Sequence, residues 1–305
     1  MDNIKIGIPR SLYYYYFGYL YINFFNYLGF EVIVSPKTNK KILEDGINNS
    51  NDEMCLSLKN YIGHIKYLSE ICDYIVVPRI EDYNIDNQTC TNFLATYDIV
   101  NNLGDIKLLN YNISVTNREN ELKGFMKMGL ELGKDKKQIK NAYIRAKIDS
   151  SNKKDRLIRE NMSKLMSKKT KILLIGHPYN LYDSLIGNPI INYLSNNNIE
   201  LIYSNLFDEN KTNKLSHNLS SECYFKYNKE NIGSLELCKS LIDGVIFVTS
   251  FPCGPDSLVN ELVFRKIDIP FLNIVVDDSD NNTGIETRLE SYIDIIKERK
   301  KICQK

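Results

Sequence analysis

A chain of 305 residues is sized for about two domains at roughly 150 residues each, and either half can bury its own core. With 39 Lys and Arg against 38 Asp and Glu, the formal net charge of +1 leaves no electrostatic footprint for nucleic acid, and no apolar run approaches the ~20 residues that span a bilayer. Seven cysteines without short framework spacing do not read as a disulfide scaffold, and Met1-Asp2-Asn3-Ile4-Lys5 runs into a strand pattern and not a signal peptide, so a reducing cytoplasm is the expected location.

The first strand is expected over residues 4–8. After Ser11, a candidate N-cap, Phe17, Leu20, Tyr21, Phe24 and Leu28 share one helical face, and Gly29 supplies a stop. Strands at 31–34 and 74–77 follow. Between them a helix opens at Cys55, behind the capping cluster Asn51-Asp52-Glu53, and runs towards Ile71. Cys90 opens another helical pattern through Phe93, Leu94 and Tyr97. Residues 117–167 are rich in Lys, Glu and Arg. Their Phe125, Met128 and Leu132, then Ile139, Tyr143 and Ala146, predict amphipathic helices. Strands are expected again at 171–175, 200–203, 245–248 and 271–276, and a last helix starts from the capping box Thr287-Arg288-Leu289-Glu290. Near-continuous apolar strands alternating with helices predict right-handed βαβ units and open parallel sheets. The expected division is an α/β domain over 1–116, a helical connecting segment over 117–169 and a second α/β domain over 170–305.

Open parallel sheets bind ligands beyond the carboxyl ends of their strands. Proline, glycine and polar residues crowd those ends here: Pro9-Arg10-Ser11, Pro78-Arg79, Gly176-His177-Pro178-Tyr179 and Cys253-Gly254-Pro255-Asp256-Ser257. Three cysteines, Cys55, Cys90 and Cys253, sit where a loop enters a helix, where the positive end of the helix dipole favours a thiolate. A buried, inert thiol is the alternative at each. The other four differ. Cys72 falls at the end of its helix, Cys238 inside a helical pattern over 234–242, Cys223 in an expected strand and Cys303 in the tail. Arg10, Lys59 and Arg79 are candidate anion contacts near the same edge, with surface solvation the plain alternative. His177 reads as a donor behind the site or a fourth metal ligand, or as an ordinary hydrogen-bonded loop histidine; His64 reads as a packed one.

The dense motifs are absent. Without Cys-x-x-Cys there is no zinc ribbon or thioredoxin-like site; without GxGxxG or GxxxxGK[ST] there is no dinucleotide fingerprint and no P-loop.

Taken together, these segments resemble the acyl-CoA dehydratase activase-related family within the 2-hydroxyacyl-CoA dehydratase component D superfamily. The likeness rests on Ile6-Gly7-Ile8-Pro9-Arg10, on Asp52-Glu53-Met54-Cys55 with Lys59 and Gly63-His64, and on Asp73-Tyr74-Ile75-Val76-Val77-Pro78-Arg79 with Cys90 beyond. In the second half it rests on Gly176-His177-Pro178-Tyr179-Asn180 with Asp183, on Asp277, Gly284 and Thr287-Arg288-Leu289-Glu290, and most specifically on Cys253-Gly254-Pro255-Asp256-Ser257. The chain departs from the family's pattern at Ser57 and Thr91, where proline is expected, and at His177, where arginine is expected.

The resemblance implies two Rossmann-like open parallel-sheet domains with an oxygen-sensitive iron–sulfur cluster between them, held by Cys55, Cys90 and Cys253. A 4Fe–4S cluster with three protein thiolates leaves one iron open to water, substrate or a sulfide bridging to a second cluster, a double cubane. In relatives a separate ATP-hydrolysing activator delivers a low-potential electron, and dehydratase members pass it to a 2-hydroxyacyl-CoA and eliminate water. The implied role is an electron-accepting component of such a lyase or reductase, with a homodimer or related second subunit and an acyl-CoA as partners. The competing reading is a non-redox protein that binds a small ligand with its two domains and keeps its cysteines as structural thiols.

Overall fold

The computed structural model describes residues 4–84, 86–220, 223–278 and 282–303. These fall into two compact units, one from 1–154 with Tyr224–Lys226, the other from 155–223 with 227–305.

In chain order the first unit carries β1 (Lys5–Ile8), α1 (Tyr14–Tyr27), β2 (Glu31–Val34), α2 (Lys40–Asn48), α3 (Leu56–Ser69), β3 (Tyr74–Val76), β4 (Arg79–Ile80), β5 (Asp82–Asn84), β6 (Asn87–Gln88), α4 (Thr91–Asn101), β7 (Leu108–Leu109), β8 (Asn112–Ile113) and α5 (Glu121–Glu131). The long helix α6 (Lys136–Lys164) carries the chain into the second unit. There follow β9 (Lys171–Ile175), α7 (Pro178–Leu181), α8 (Asn188–Asn196), β10 (Glu200–Tyr203), α9 (Glu209–Ser216), α10 (Lys226–Cys238), β11 (Gly244–Ser250), α11 (Gly254–Phe264), β12 (Phe271–Val276) and α12 (Asn282–Cys303).

The two main sheets are all-parallel and share one plan. The first has the order β2-β1-β3-β7, the second β10-β9-β11-β12. Each is an open α/β sheet, as the alternating pattern predicts. β11 shows why the apolar runs are continuous: all seven of its residues are buried, as a central strand covered on both faces requires. The edge strand β2 keeps Glu31 exposed and its other residues half-buried.

α1 packs Leu20, Tyr21, Phe24 and Phe25 inward and ends as its sequence predicts, with Gly29 at φ +80° just past the last turn. The Tyr21, Phe24, Tyr111 and Phe125 rings form one aromatic cluster, and the Tyr21 and Tyr111 hydroxyls meet at 2.7 Å. α2 and α3 cross backbone to backbone. A Cβ at Gly46 would overlap the Lys59 carbonyl oxygen, and one at Gly63 the Ile42 carbonyl oxygen. In the second unit Leu173, Ile175, Val245 and Phe247 from the sheet pack with Val259 and Val263 of α11.

Three local expectations are corrected. Ser11 does not cap α1. The helix starts after Tyr13, and the Ser11 hydroxyl donates instead to the Ser57 carbonyl at 3.4 Å. Thr287 lies inside α12, which starts a turn earlier, so it is no N-cap. Cys223 is buried but belongs to no strand.

Candidate functional site

In an open parallel sheet the strand order reverses at one place, and the connections there leave in opposite directions and open a crevice. In the first unit that place lies between β1 and β3; in the second, between β9 and β11.

At the first, three segments converge. Ser11 holds the first turn of α3 through the Ser57 carbonyl. The Tyr13 hydroxyl donates to the Phe93 carbonyl at 2.8 Å and lies 2.9 Å from Thr96 Oγ1, which anchors the start of α4. Cys55 and Cys90 are the N-cap residues of those two helices, both in extended conformation, and neither helix is capped by a side-chain hydrogen bond. Asn92 Nδ2, in the first turn of α4, donates to Cys55 Sγ at 3.4 Å. Two half-buried thiols are thus brought to adjoining helix N-termini, where positive dipole ends and an amide donor favour negative sulfur.

A buried polar network supports the same edge. Arg10 N–H donates to Ser35 Oγ at 2.8 Å, and Arg10 Nε donates to the Ser35 carbonyl at 3.0 Å. Ser35 Oγ lies 2.8 Å from His64 Nδ1, and Thr38 Oγ1 lies 3.1 Å from His64 Nε2. Each ring nitrogen of His64 is thus held by a hydroxyl. Burial, with Arg10 nearby, pushes His64 down to about 3, so the ring is neutral. Lys59 is buried one helical turn beyond Cys55. Arg79 is ion-paired to Asp98 and lies over the Tyr97 ring at 5.4 Å.

At the second switch point, Cys253 caps α11 and His177 caps the single-turn α7. His177 Nε2 meets Asp256 Oδ1 at 2.9 Å, with both side chains nearly excluded from water (7% and 5% exposed). Asn228 Nδ2 donates to the same oxygen at 2.8 Å. An ionised carboxylate only accepts, so Nε2 carries the proton. Tyr179 stacks on the His177 ring at 4.8 Å and fixes its plane. Burial alone would raise Asp256. His177 beside it, with hydrogen bonds from His177 and Asn228, outweighs that and holds the carboxyl below its ordinary range. The Cys253 thiol, a weak donor, adds a smaller contribution in the same direction.

The remaining described cysteines are placed differently. Burial, reinforced by Asp73, pushes the Cys72 thiol up to about 11, and burial pushes Cys238 up to about 12, with its S–H donating to the Ser234 carbonyl at 3.1 Å. The side chain of Cys303 lies outside the described residues. Among the described residues, no three His, Cys, Asp or Glu side chains form a metal-holding group, and no helix is long and apolar enough to cross a membrane.

Sequence reasoning gave Asn92, Asn228 and Asp256 no role. Asp256 had a readable cue: it lies three residues past a helix-capping cysteine, in the acid-favouring first turn. Asn228 had none, since its contact with Asp256 spans 28 residues.

No curated protein matches the chain. Among solved structures, an aspartate racemase homologue from Pyrococcus horikoshii OT3 is 15% identical and covers 97% of this chain and 100% of its own, at a TM-score of 0.23 that carries no argument. Residues 5–206, more than half of the chain and including Cys55, Cys90 and His177, match a family described as the CoA enzyme activase uncharacterised domain (DUF2229). The chain belongs to that family.

Proposed function

We propose that this protein is an iron–sulfur component of a CoA-enzyme activation system, which takes low-potential electrons from a separate ATP-hydrolysing activator and passes them to an acyl-CoA or similar small substrate, in a reducing cytoplasm. The observation that carries the reading is the pair of thiols at the first switch point: Cys55 and Cys90 cap adjoining helices, with Asn92 donating to Cys55. Thiolates are the preferred ligands of iron–sulfur clusters, so the donor set of the first unit fits such a group. Cys253 is the third proposed ligand, on the strength of its own N-cap position and the Cys253-Gly254-Pro255-Asp256-Ser257 segment.

A cluster of this kind supplies one-electron chemistry. The chain's own residues do the rest. The helix ends and Asn92 stabilise negative sulfur. The Ser35–His64–Thr38 network holds the Arg10 turn without carrying a charge. The His177–Asp256–Asn228 cluster fixes the first turn of α11 behind Cys253. Anaerobic purification followed by iron and acid-labile sulfide analysis tests the reading, with Cys55→Ser, Cys90→Ser and Cys253→Ser in parallel. Bound iron and sulfide that fall in each variant support it. Absence of both after anaerobic reconstitution overturns it.

A second reading is favoured by the lack of any three-residue metal-holding group among the described residues. In it the protein binds a small ligand without redox chemistry, and the thiols stay unmetallated.

A further inference from the structure

The near-balance of charge over the whole chain hides an uneven distribution. Residues 121–154, which hold α5 and the part of α6 that belongs to the first unit, carry ten Lys and Arg against four Asp and Glu, a local +6 in a chain of +1. The contacts of α6 fix which way its sides face. On one flank Tyr143 and Lys147 reach Glu121 of α5. On the other, against α1, Arg145 lies over the Tyr27 ring at 4.1 Å, Lys153 lies over Tyr19 at 4.2 Å, and the Tyr27 hydroxyl donates to Asp149. Ile139, Ala142 and Ala146 are buried on the inward side.

The outward side is an apolar ridge among cations. Ile144 and Ile148, one turn apart on the same face, are 45% and 56% exposed. Lys140 and Lys137, four and seven residues before Ile144, continue that face, exposed and with no anionic partner among the described residues. The make-up of this face selects among anionic partners. Lysine is depleted at protein–protein interfaces, where arginine and aromatic anchors gather, and the arginine of this face is taken up by Tyr27. A nucleic-acid backbone would pair with the lysines but offers the isoleucines no apolar contact. An anionic bilayer surface meets both, with headgroup charge for the lysines and acyl chains for a shallow ridge. Tyr19, 39% exposed beside Lys153, stands at the rim, where an amphipathic ring suits the headgroup level.

We propose that the outward face of α6, flanked by α1 and α5, docks the protein reversibly on a membrane surface rich in anionic headgroups, with Ile144 and Ile148 entering the acyl boundary. Two half-exposed isoleucines are a marginal anchor alone, so the binding depends on the lysines and is sensitive to salt. The site lies wholly in the first unit and needs no bound iron.

Flotation of the full chain with phosphatidylcholine vesicles, with and without about 30% phosphatidylserine, tests this. The expected result is binding to the anionic vesicles at least about tenfold tighter than to phosphatidylcholine alone, released by about 0.5 M salt. Lys137→Glu with Lys140→Glu should weaken it by about tenfold or more, and Ile144→Ser with Ile148→Ser by about tenfold. All four side chains are exposed, so both double variants should keep the circular dichroism of the parent. Lys168→Glu with Lys169→Glu, the same charge change at exposed positions of the second unit, should leave binding unchanged. No vesicle binding, equal binding to both vesicles, equal loss in the Lys168 and Lys169 variant, or binding indifferent to the two isoleucines would overturn the proposal. So would tighter, isoleucine-independent binding to a short RNA duplex or to polyglutamate, which would assign the face to nucleic acid or to an acidic protein.

Discussion

The two switch points make an instructive pair. Both lie at the reversal of the same strand order, and both end in a cysteine-capped helix. They are furnished oppositely. The first gathers two thiols over a buried imidazole that stays neutral, His64 lying uncharged between two hydroxyls with the Arg10 guanidinium nearby. The second sets one thiol over a buried carboxyl that burial would neutralise and His177 keeps ionised. The fold dictates where chemistry can sit, and the buried side chains one layer behind decide the charge that the site feels.

The largest expected effect breaks the second arrangement. Asp256→Leu leaves His177 and Asn228 without their acceptor and should destabilise the second unit by roughly 3–5 kcal/mol in chemical denaturation, as removal of one partner from a buried pair does. Asp256→Asn should cost less, because the shape is kept.

Acid distinguishes the two regions next. His64 has a folded-state pKa of about 3 against 6.5 for the ordinary group, so between those values the unfolded chain binds a proton that the fold refuses. Its contribution is therefore complete above pH 6.5 and is lost as pH falls towards 3. Stability of the first unit should drop by up to ~1.4 kcal/mol per pH unit through that window, and His64→Gln should flatten the slope. Asp256, with a lowered folded value, contributes above its ordinary carboxyl range and loses that contribution only at lower pH, as the folded group itself takes up a proton. A Trp reporter placed in each unit would separate the two profiles.

A smaller effect concerns the thiols. Timed alkylation read by mass spectrometry should modify Cys55, Cys90 and Cys253 before Cys72 and Cys238, whose thiols are pushed up to about 11 and 12. Asn92→Ala should slow Cys55 by about threefold, the scale of one modest hydrogen bond, and leave Cys253 unchanged. The smallest effect belongs to Asp98→Asn, which removes a partly exposed ion pair from Arg79 and should shift stability by less than ~1 kcal/mol.

Much of this architecture was legible in the chain because its signals are local. The runs that form β2, β9, β10 and β12 were readable to the residue, since each is an apolar stretch between turn residues. β7 and β8 were not, because two residues apiece carry no period and take their place from pairing with β3 and β4. The N-cap positions of Cys55, Cys90 and Cys253 were readable from the turn chemistry around them. Ser11 misled because it looks like a cap, while the nearby Ser57 carbonyl, 46 residues away in sequence, claims its hydroxyl. The partners of His177 were hidden for the same reason: Asp256 and Asn228 meet it only through the fold.

The crossing of α2 and α3 has a consequence for how this sequence can vary. Gly46 and Gly63 each face the other helix's backbone, and no side chain stands between them to be trimmed. A compensating substitution therefore has nothing to act on, and a methyl group at either position must push whole helices apart. In a randomised library selected only for folding, these two positions should return as glycine together, whatever is allowed to drift at the thiols of the same unit.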